Sequence, residues 1–554
     1  MNVFSKVNSR TLWWLFFAVM ICWGCLLRFH DLGARVYWRD EAFTSFRLSG
    51  YTEPELAETL FKGEVVYPQD FSQFQINHTD RHLGDTVKSL TRDTHPPGYF
   101  VLLWLWTKGF GSSIVSTRAF SAAVSLLLLP IVFALARTLF EASPHRQAIA
   151  ALSTALVAVS PFQVVLSSEA RMYSLLPVLT TLAGLCLLRA VRPSASRKQV
   201  YGWWVCFALA GAASLYVHLL AVPMLAGYGL YVWVQRYVDG SPHWVRAQKQ
   251  HLVATGLTLG LFLPWCWFLG TRLSNVYFQT RWTAETVPFF GKGDTLVGRW
   301  LWHGLLLFIN GESLYIIPAG KLLGGLLAIA FLVWALVYLV RHTPLPIWSF
   351  LLISSGIIYM PLAVTDVLLS GQRSGIPRYF ASSIGEISIA VAFGLVSLGG
   401  MAKGQRRSSP LGAFPDSANP ASASLAPRLA RWAIIFLLIG GVTSQMVAKS
   451  NYALDQHFAG RIANAVNQTP GAMLVSDAPF NDMALLLSLT HYLKEDTPLL
   501  LTIRPEQPAI AKFRDRPVFL YLTSAAFRAN LKARGMRLQP ISDAEDLFKI
   551  EADK

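Results

Sequence analysis

The amino-acid sequence predicts an α-helical polytopic membrane protein that carries a small soluble α/β domain at its C-terminal end. Of the 554 residues, 53% are hydrophobic and only 14% are charged, whereas a soluble domain has about 25% charged residues. The apolar residues fall in runs of roughly 17–22, which is the length that spans a bilayer. Basic residues concentrate in short loops between those runs, as expected when they set the orientation of membrane helices.

Eleven runs have spanning length and two shorter runs predict half-helices, which together give about 11–13 membrane helices. If the short run 98–110 crossed the membrane, the basic loops 141–146 and 189–198 would lie outside, against the positive-inside rule. We therefore place the N-terminus in the cytoplasm and treat 98–110 and 301–310 as half-helices. The spans are 11–27, 119–139, 147–166, 172–190, 201–217, 219–234, 252–270, 321–340, 347–364, 379–398 and 432–447.

Composition also predicts the domain organisation. After residue 448, short strand-like and helix-like runs alternate, which is typical of a small α/β domain. The net charge of +16 is explained largely by the loops that determine topology, so a nucleic-acid partner is not expected. The predicted segments are an anchor helix (1–28), a large outer loop with interfacial helices (29–117), a multi-span domain (118–401), a flexible cytoplasmic linker (402–429), a last span (430–448) and a soluble outer α/β domain (449–554).

Polar side chains that could carry chemistry gather on the predicted outer side. Each group alone has an ordinary explanation, such as a solvated loop, a helix-end ion pair or an interfacial anchor. Ionisable groups at the ends of spans are costly unless they face protein or water, so their combination is more informative. The groups are Asp40 and Glu41 in W-R-D-E-A, Asp93 and His95 in T-R-D-T-H-P-P, Glu169, Arg171 and Tyr173 in S-S-E-A-R-M-Y, and Arg378 and Tyr379 in P-R-Y-F, with His218 at a further outer turn.

These residue types suit group transfer from a phosphate ester. A carboxylate takes the proton from an incoming hydroxyl or amine. A guanidinium holds a departing phosphate with two parallel hydrogen bonds. A polyprenyl tail would need a groove between membrane helices, and the predicted spans supply one.

The motifs occur in an order that resembles a known family. W-R-D-E-A, T-H-P-P-G-Y-F, S-S-E-A-R-M-Y-S-L and P-R-Y-F follow one another across most of residues 12–400. This arrangement is similar to the bacterial, protein-mannosyltransferase-like branch of the GT-C glycosyltransferases, of the family 39 and 83 type. The resemblance implies an inverting hexosyl- or pentosyltransferase. Its donor would be a polyprenyl-phosphate sugar, its acceptor a lipid, glycan or protein, and its location the inner (plasma) membrane, with the active site on the periplasmic or extracellular side.

The resemblance also assigns roles to individual residues. Asp40 corresponds to the proposed base, with Glu41 beside it, and Glu169 to a residue that positions acceptor or metal. His95 stands at the position before P-P, and Arg378 is expected at the donor phosphate. Arg171, Tyr173 and Tyr379 join the predicted substrate-binding set, and Asp93 and His218 are further candidates. The motifs identify no certain cofactor, and dependence on a divalent metal is left open.

Two departures from the family keep the acceptor open. Enzymes that transfer aminoarabinose to lipid A have Arg and Lys at the positions of Phe43 and His95, and this chain lacks the β-trefoil insertion of eukaryotic protein mannosyltransferases. The alternative function is a multi-span transporter or flippase of lipids or sugars. That class predicts charged groups at the midplane and an inverted repeat, whereas the charges here lie mostly at the ends of spans.

Overall fold

The computed structural model describes residues 9–77, 80–91, 93–194, 196–271, 273–291, 293–310, 318–399, 420–448, 458–477, 483–502, 516–541 and 546–551. Within them the helices of the first half of the chain are α1 Ser9–Phe29, α2 Arg39–Leu48, α3 Glu53–Leu60, α4 Leu83–Leu90, α5 Gly98–Phe110, α6 Ile114–Ser125, α7 Leu128–Leu139, α8 Arg146–Val159, α9 Pro161–Ser167, α10 Leu176–Ala190, α11 Arg197–Val217, α12 Ala221–Asp239 and α13 Pro242–Gly270.

The later helices are α14 Leu273–Thr280, α15 Leu296–Leu306, α16 Pro318–His342, α17 Leu345–Gly356, α18 Tyr359–Leu369, α19 Ile384–Leu398, α20 Pro420–Ala448, α21 Phe458–Asn467, α22 Met483–Thr490 and α23 Ala525–Ala533. The strands are β1 Lys62–Val66, β2 Met473–Ser476, β3 Leu499–Thr502, β4 Val518–Tyr521, β5 Arg537–Pro540 and β6 Leu547–Glu551. Short 3-10 helices cover Pro68–Phe74, Met172–Ser174, Arg281–Ala284, Arg373–Gly375 and Pro377–Ser383.

The chain divides into two compact units. The helical unit comprises Met1–His30, Thr94–Pro96 and Ser121–Ala448, and the sheet unit comprises Asp31–Asp93, Pro97–Phe120 and Lys449–Lys554. The predicted fold class, a polytopic helical protein with a small C-terminal α/β region, is confirmed. Residues 402–419 of the predicted linker lie outside the described residues, and α20 begins at Pro420, ahead of the predicted start of the last span.

Spans account for most of the helical unit. In the described part of the chain eight helices are long and apolar enough to cross a membrane, or ten if each of two bent pairs forms one span. Ten of the eleven runs identified in the sequence correspond to these. The eleventh corresponds to α12, whose last turns carry Gln235, Arg236 and Asp239 and are therefore too polar. In each of the spans Met172–Ala190 and Pro377–Leu398, 83% of the residues in the most apolar stretch are buried, so these two spans form the centre of the bundle.

A buried arginine binds the backbone at the bend between α8 and α9, which form one of the two bent helix pairs. Helices α8 and α9 meet at an angle of 55°, because Pro161 begins the second helix and has no N–H to donate to the carbonyl of Val157. The guanidinium of Arg28 on α1 donates instead to the carbonyl oxygens of Val157 and Ala158, at 3.2 Å and 2.5 Å. A guanidinium with only 1% exposure is therefore held by backbone oxygens that the bend has released.

The sheet unit is built on six strands in the order β1-β3-β2-β4-β6-β5. The central strands β3, β2 and β4 are parallel and buried, as expected for strands covered on both faces. Strand β1 comes from the long loop 29–117 and pairs antiparallel with β3 of the C-terminal region. Phe71 and Phe74 of the same loop share one hydrophobic core with Leu474 and Leu487. The loop and the C-terminal region are therefore parts of one folded unit.

Helix α5 matches the run predicted as a half-helix. Its bounds, Gly98–Phe110, are those of the apolar run identified in the sequence. Thirteen residues rise about 20 Å, which is well short of the roughly 30 Å hydrocarbon core. The second short run corresponds to α15, which ends at Leu306.

Candidate active site

Asp40 and Glu41 occupy the first turn of α2. This position favours two carboxylates, because the partial positive charge of the helix dipole lies at the N-terminus. The two side chains differ in environment: Glu41 is 1% exposed, whereas Asp40 is half-buried. Asp40 is thus the more accessible carboxylate of the pair.

Glu41 is held by Arg118. The Nε and one terminal nitrogen of the guanidinium donate to the two carboxylate oxygens at 2.8 Å and 2.5 Å. The same guanidinium donates to three carbonyl oxygens of the segment that leads into α2, those of Leu32, Arg35 and Val36. The ion pair of Glu41 and Arg118 therefore fixes the segment that leads into α2. Because Glu41 is buried and paired, Asp40 is the better candidate for a proton acceptor.

Asp93 pairs with Arg47 in the same unit. Nε of Arg47 lies 3.1 Å from Oδ2 of Asp93, and its terminal nitrogen lies 2.6 Å from Oε1 of Glu53. Burial alone would lower the pKa of Arg47, but the charges of Asp93 and Glu53 outweigh it and raise the pKa above its ordinary value. Asp93, one of the candidates from the sequence, is therefore bound by the buried guanidinium of Arg47.

A cationic cluster forms in the helical unit from five of the predicted residues. A terminal nitrogen of Arg171 lies 3.4 Å from Nε2 of His95, and the rings of His95 and His218 are 5.7 Å apart. The ring of Tyr173 is 5.3 Å from that of His218, and the guanidinium of Arg378 lies 5.7 Å from the centre of the Tyr173 ring. Three separate sequence motifs and the turn after α11 therefore meet at one place.

His218 has a defined tautomer in this cluster. Its Nδ1 accepts the N–H of Leu220 at 3.0 Å, so a neutral ring carries its proton on Nε2. Burial, and then the nearby charges of His95, Arg171 and Arg378, lower the pKa of His218 well below its usual value. The ring is therefore a neutral hydrogen-bond donor among cations at physiological pH.

The low pKa of His218 predicts a loss of stability in acid. The unfolded residue binds a proton near about pH 6.5 and the folded one only at lower pH, so the unfolded state holds more protons below about pH 6.5. Stability should then fall by up to about 1.4 kcal/mol per pH unit. His218→Asn keeps an oxygen for the Leu220 N–H but cannot be protonated. Thermal unfolding in detergent at about pH 7.5 and about pH 5.5 should show a smaller acid shift for the variant; equal shifts would contradict the assignment.

Glu169 and Tyr379 flank the cluster in the chain. The carbonyl of Glu169 accepts the N–H of Arg171 at 2.7 Å, which forms the turn that presents Arg171 and Tyr173. Tyr379 lies in the 3-10 helix Pro377–Ser383 beside Arg378 and is half-buried. The roles assigned to the two side chains stay predictions. The motif resemblance predicts one site shared by Asp40, His95, Glu169 and Arg378. That stays a prediction, because Asp40 belongs to the sheet unit and the other three residues belong to the helical unit.

Three buried charged residues were missed from the sequence. Arg47 lies seven residues after Asp40, two helical turns away on the same face of α2, which is a detectable signal. Arg118 had no such signal, because its partner is 77 residues distant. Glu386 is an acidic residue inside a predicted span, and its fully buried carboxylate makes no hydrogen bond within the described part of the chain. An intramembrane carboxyl is a marker of functional positions.

The divalent metal left open by the sequence stays an open expectation. Across the described ranges, no group of three or more His, Cys, Asp or Glu side chains is placed to hold a metal ion. The cationic cluster contributes two guanidiniums and two imidazoles, a set that suits an anion.

Comparison with known proteins supports the resemblance. Residues 94–268 match the family model described as dolichyl-phosphate-mannose-protein mannosyltransferase. The structure is similar to ArnT from Cupriavidus metallidurans in the apo state, with 16% identity, 98% of each chain covered and a TM-score of 0.52. It is also similar to ArnT from the same organism bound to undecaprenyl phosphate, with 15% identity, 98% of each chain covered and a TM-score of 0.51. No curated protein sequence matches the chain.

The matched region 94–268 contains His95, Arg171, Tyr173 and His218, four of the five members of the cationic cluster. At this level of identity the structural similarity establishes the fold, and the family match covers about a third of the chain. The resemblance found in the motifs is thereby confirmed: the chain has the GT-C fold of ArnT, and residues 94–268 carry the sequence pattern of the protein-mannosyltransferase-like GT-C glycosyltransferases.

Proposed function

We propose that the protein is an inverting glycosyltransferase that moves a sugar from a polyprenyl-phosphate donor to an acceptor on the non-cytoplasmic face of the membrane. The observation that carries the proposal is the cationic cluster of the helical unit. Within a bundle of membrane spans, this cluster brings together two guanidiniums and two imidazoles that can donate hydrogen bonds. They belong to Arg171, Arg378, His95 and His218. That arrangement suits a phosphate attached to a lipid.

The relative of known structure supports the same donor class. ArnT from Cupriavidus metallidurans, which shares the fold over 98% of both chains, was crystallised with undecaprenyl phosphate. The product of transfer from a polyprenyl-phosphate sugar is a polyprenyl phosphate. We therefore assign the guanidiniums of Arg171 and Arg378 to the phosphate of donor and product.

The proposed reaction is a single displacement at the anomeric carbon of the sugar. The bond from that carbon to the phosphate oxygen breaks, and a bond to the acceptor oxygen or nitrogen forms on the opposite face, which inverts the configuration. The acceptor proton passes to a carboxylate, for which the motif resemblance favours Asp40. The electron pair of the broken bond stays on the departing phosphate, whose growing charge the guanidiniums stabilise.

Topology determines the side of the membrane in this proposal. The basic loops at 141–146 and 189–198 favour a cytoplasmic location, and the cluster lies at the other end of the spans that join them. We infer an inner (plasma) membrane protein whose site faces the periplasm or the cell exterior. The acceptor would be a lipid, a glycan or a protein exposed on that side.

A direct assay tests the function. The protein, purified in detergent, would be incubated with polyprenyl-phosphate sugars of several kinds, together with a membrane extract as the source of acceptor, and the release of polyprenyl phosphate would be followed by chromatography. We expect release with at least one donor, dependent on the acceptor. No release with any donor, together with movement of a lipid or sugar across vesicles, would instead establish the transporter alternative.

The role of Arg378 predicts a specific defect. Arg378→Ala should raise the KM for the donor roughly 10- to 100-fold, because a charge-assisted hydrogen bond contributes about 1.5–3 kcal/mol. Arg378→Lys keeps the charge and loses the planar fork, so we expect an intermediate value. Initial rates at varied donor and fixed acceptor would measure both. If the donor KM were unchanged and the acceptor KM were raised instead, Arg378 would be assigned to the acceptor site.

A further inference from the structure

A cationic cavity lies at the end of the helical unit opposite the cationic cluster. It has a volume of about 570 Å³ and is formed where α7, α8, α10 and α11 end or begin. Four arginines line it, together with one carboxylate and one indole. These side chains are Arg137, Arg146, Arg189, Arg192, Glu141 and Trp203.

The charges in this cavity do not balance. Arg192 forms an ion pair with Glu141 at 2.8 Å, and Arg146 donates to the backbone oxygen of Glu141 at 3.3 Å. Arg189 lies over the ring of Trp203 at 4.7 Å, which orients its guanidinium without neutralising it. Within the described ranges Arg137, Arg146 and Arg189 form no ion pair with a carboxylate. Three guanidiniums without a carboxylate partner leave the cavity with a net positive charge, which attracts an anion.

The cavity is distinct from the proposed donor site. Helix α10 has 15 residues; its N-terminal end follows directly after Arg171 and Tyr173, and its C-terminal end carries Arg189. A helix of that length rises about 22 Å, so the two cationic sites lie near opposite membrane surfaces. The loops beside this cavity, 141–146 and 189–198, are those predicted to be cytoplasmic.

The surroundings of the cavity indicate a ligand with an apolar tail. Trp203 lies near the start of a span, where aromatic side chains mark the interface between lipid and water. On α7, Phe133 lines the cavity beside Arg137, and Pro130 follows one turn further along the same face and is exposed, which forms an apolar stripe that leads away from the cavity. A headgroup in the cavity could therefore keep its acyl chains along this stripe.

We propose that this cavity binds the phosphate headgroup of an anionic phospholipid of the cytoplasmic leaflet. Guanidiniums bind phosphate bidentately, and basic pockets between membrane helices on the cytoplasmic side bind anionic lipid headgroups. The cavity volume lies in the range of about 300–1,000 Å³ that is usual for ligand sites. Anionic lipid held here would link the ends of α7, α8, α10 and α11.

Native mass spectrometry of the full-length protein tests the proposal with defined lipids. We expect phosphatidylglycerol to bind and phosphatidylcholine, which has no net charge, to bind far less. Replacing two guanidiniums, as in R137Q together with R189Q, should weaken phosphatidylglycerol binding roughly thirtyfold, since each arginine near a membrane contributes about 1 kcal/mol. Arg341→Gln, an exposed arginine at the C-terminal end of α16, is the matched control and should have no effect.

Chemical labelling of the unmodified sequence keeps the test valid if the double variant does not fold. Phenylglyoxal should modify Arg137 and Arg189 more slowly in phosphatidylglycerol nanodiscs than in phosphatidylcholine nanodiscs, with Arg341 labelled at a similar rate in both. Displacement of the lipid by millimolar inorganic phosphate would show a site for the free anion and overturn the lipid assignment. Equal binding of both lipids and equal labelling in both nanodiscs would overturn the site itself.

Discussion

Asp40→Asn should abolish most of the sugar transfer while leaving the fold intact. A phosphate-linked sugar already has a good leaving group, so activation of the acceptor is the step that needs a base. General base catalysis contributes about 10²–10⁴-fold, and we expect a loss of that size in kcat, with the donor KM nearly unchanged. Asparagine keeps the shape of the side chain in the first turn of α2, and the half-buried position tolerates its amide. Donor turnover and thermal unfolding measured on the same preparation would separate chemistry from stability.

Glu41→Gln is the matched control for this experiment. Glu41 is buried and already bound by Arg118, so its amide should lower stability more than catalysis. If Asp40→Asn kept near-normal turnover while Glu41→Gln lost it at unchanged stability, the base would be Glu41. Full activity of both variants would mean that the pair is structural and that the proposed mechanism is wrong.

Arg118→Met should destabilise the sheet unit by about 3–5 kcal/mol, which is the cost of removing one partner of a buried ion pair. The substitution leaves the carboxylate of Glu41 buried without its guanidinium, and it removes the donor for the carbonyls of Leu32, Arg35 and Val36. Arg534→Met changes an exposed arginine of the same unit and should have little effect. Limited proteolysis in detergent, which reports opening of the loop, would measure the difference.

A double variant separates the buried charge from the carbonyl contacts. Arg118→Met combined with Glu41→Leu removes both charges, so the part of the loss that comes from an isolated carboxylate should be recovered. The remaining loss would report the three carbonyl hydrogen bonds. No recovery in the double variant would mean that Glu41 does not depend on Arg118.

Sequence patterns predicted the parts of the fold that depend on local hydropathy. Apolar length located ten of the candidate spans and the bounds of α5, since a bilayer requires a fixed length of apolar chain. The pairing of β1 was not predictable, because K-G-E-V-V is short, charged at one end and has its partner at the far end of the chain. The contacts of Arg28 were not predictable either, because the carbonyl oxygens that hold it belong to a distant bend.

For the candidate site, the sequence predicted several residues but not the contacts between them. His95, Arg171, Tyr173 and Arg378 were found because they sit in short motifs whose order could be compared with a family. Their mutual contacts could not be predicted, since they depend on how α10, α11 and the 3-10 helix Pro377–Ser383 pack. Arg118 stabilises the D-E motif from another element, and no spacing in the sequence connects the two.

The pairing of β1 with β3 has a consequence for biosynthesis. Val66 meets Leu499, which the ribosome adds about 430 residues later, or roughly 20–90 s at ordinary rates of translation. During that interval the loop that carries α2 has an unpaired strand edge and lacks much of its apolar core, because Leu474 and Leu487 have not been made. The membrane spans are therefore synthesised before the loop 29–117 can complete its fold, and the helix that bears Asp40 reaches its final packing only when the last hundred residues have emerged.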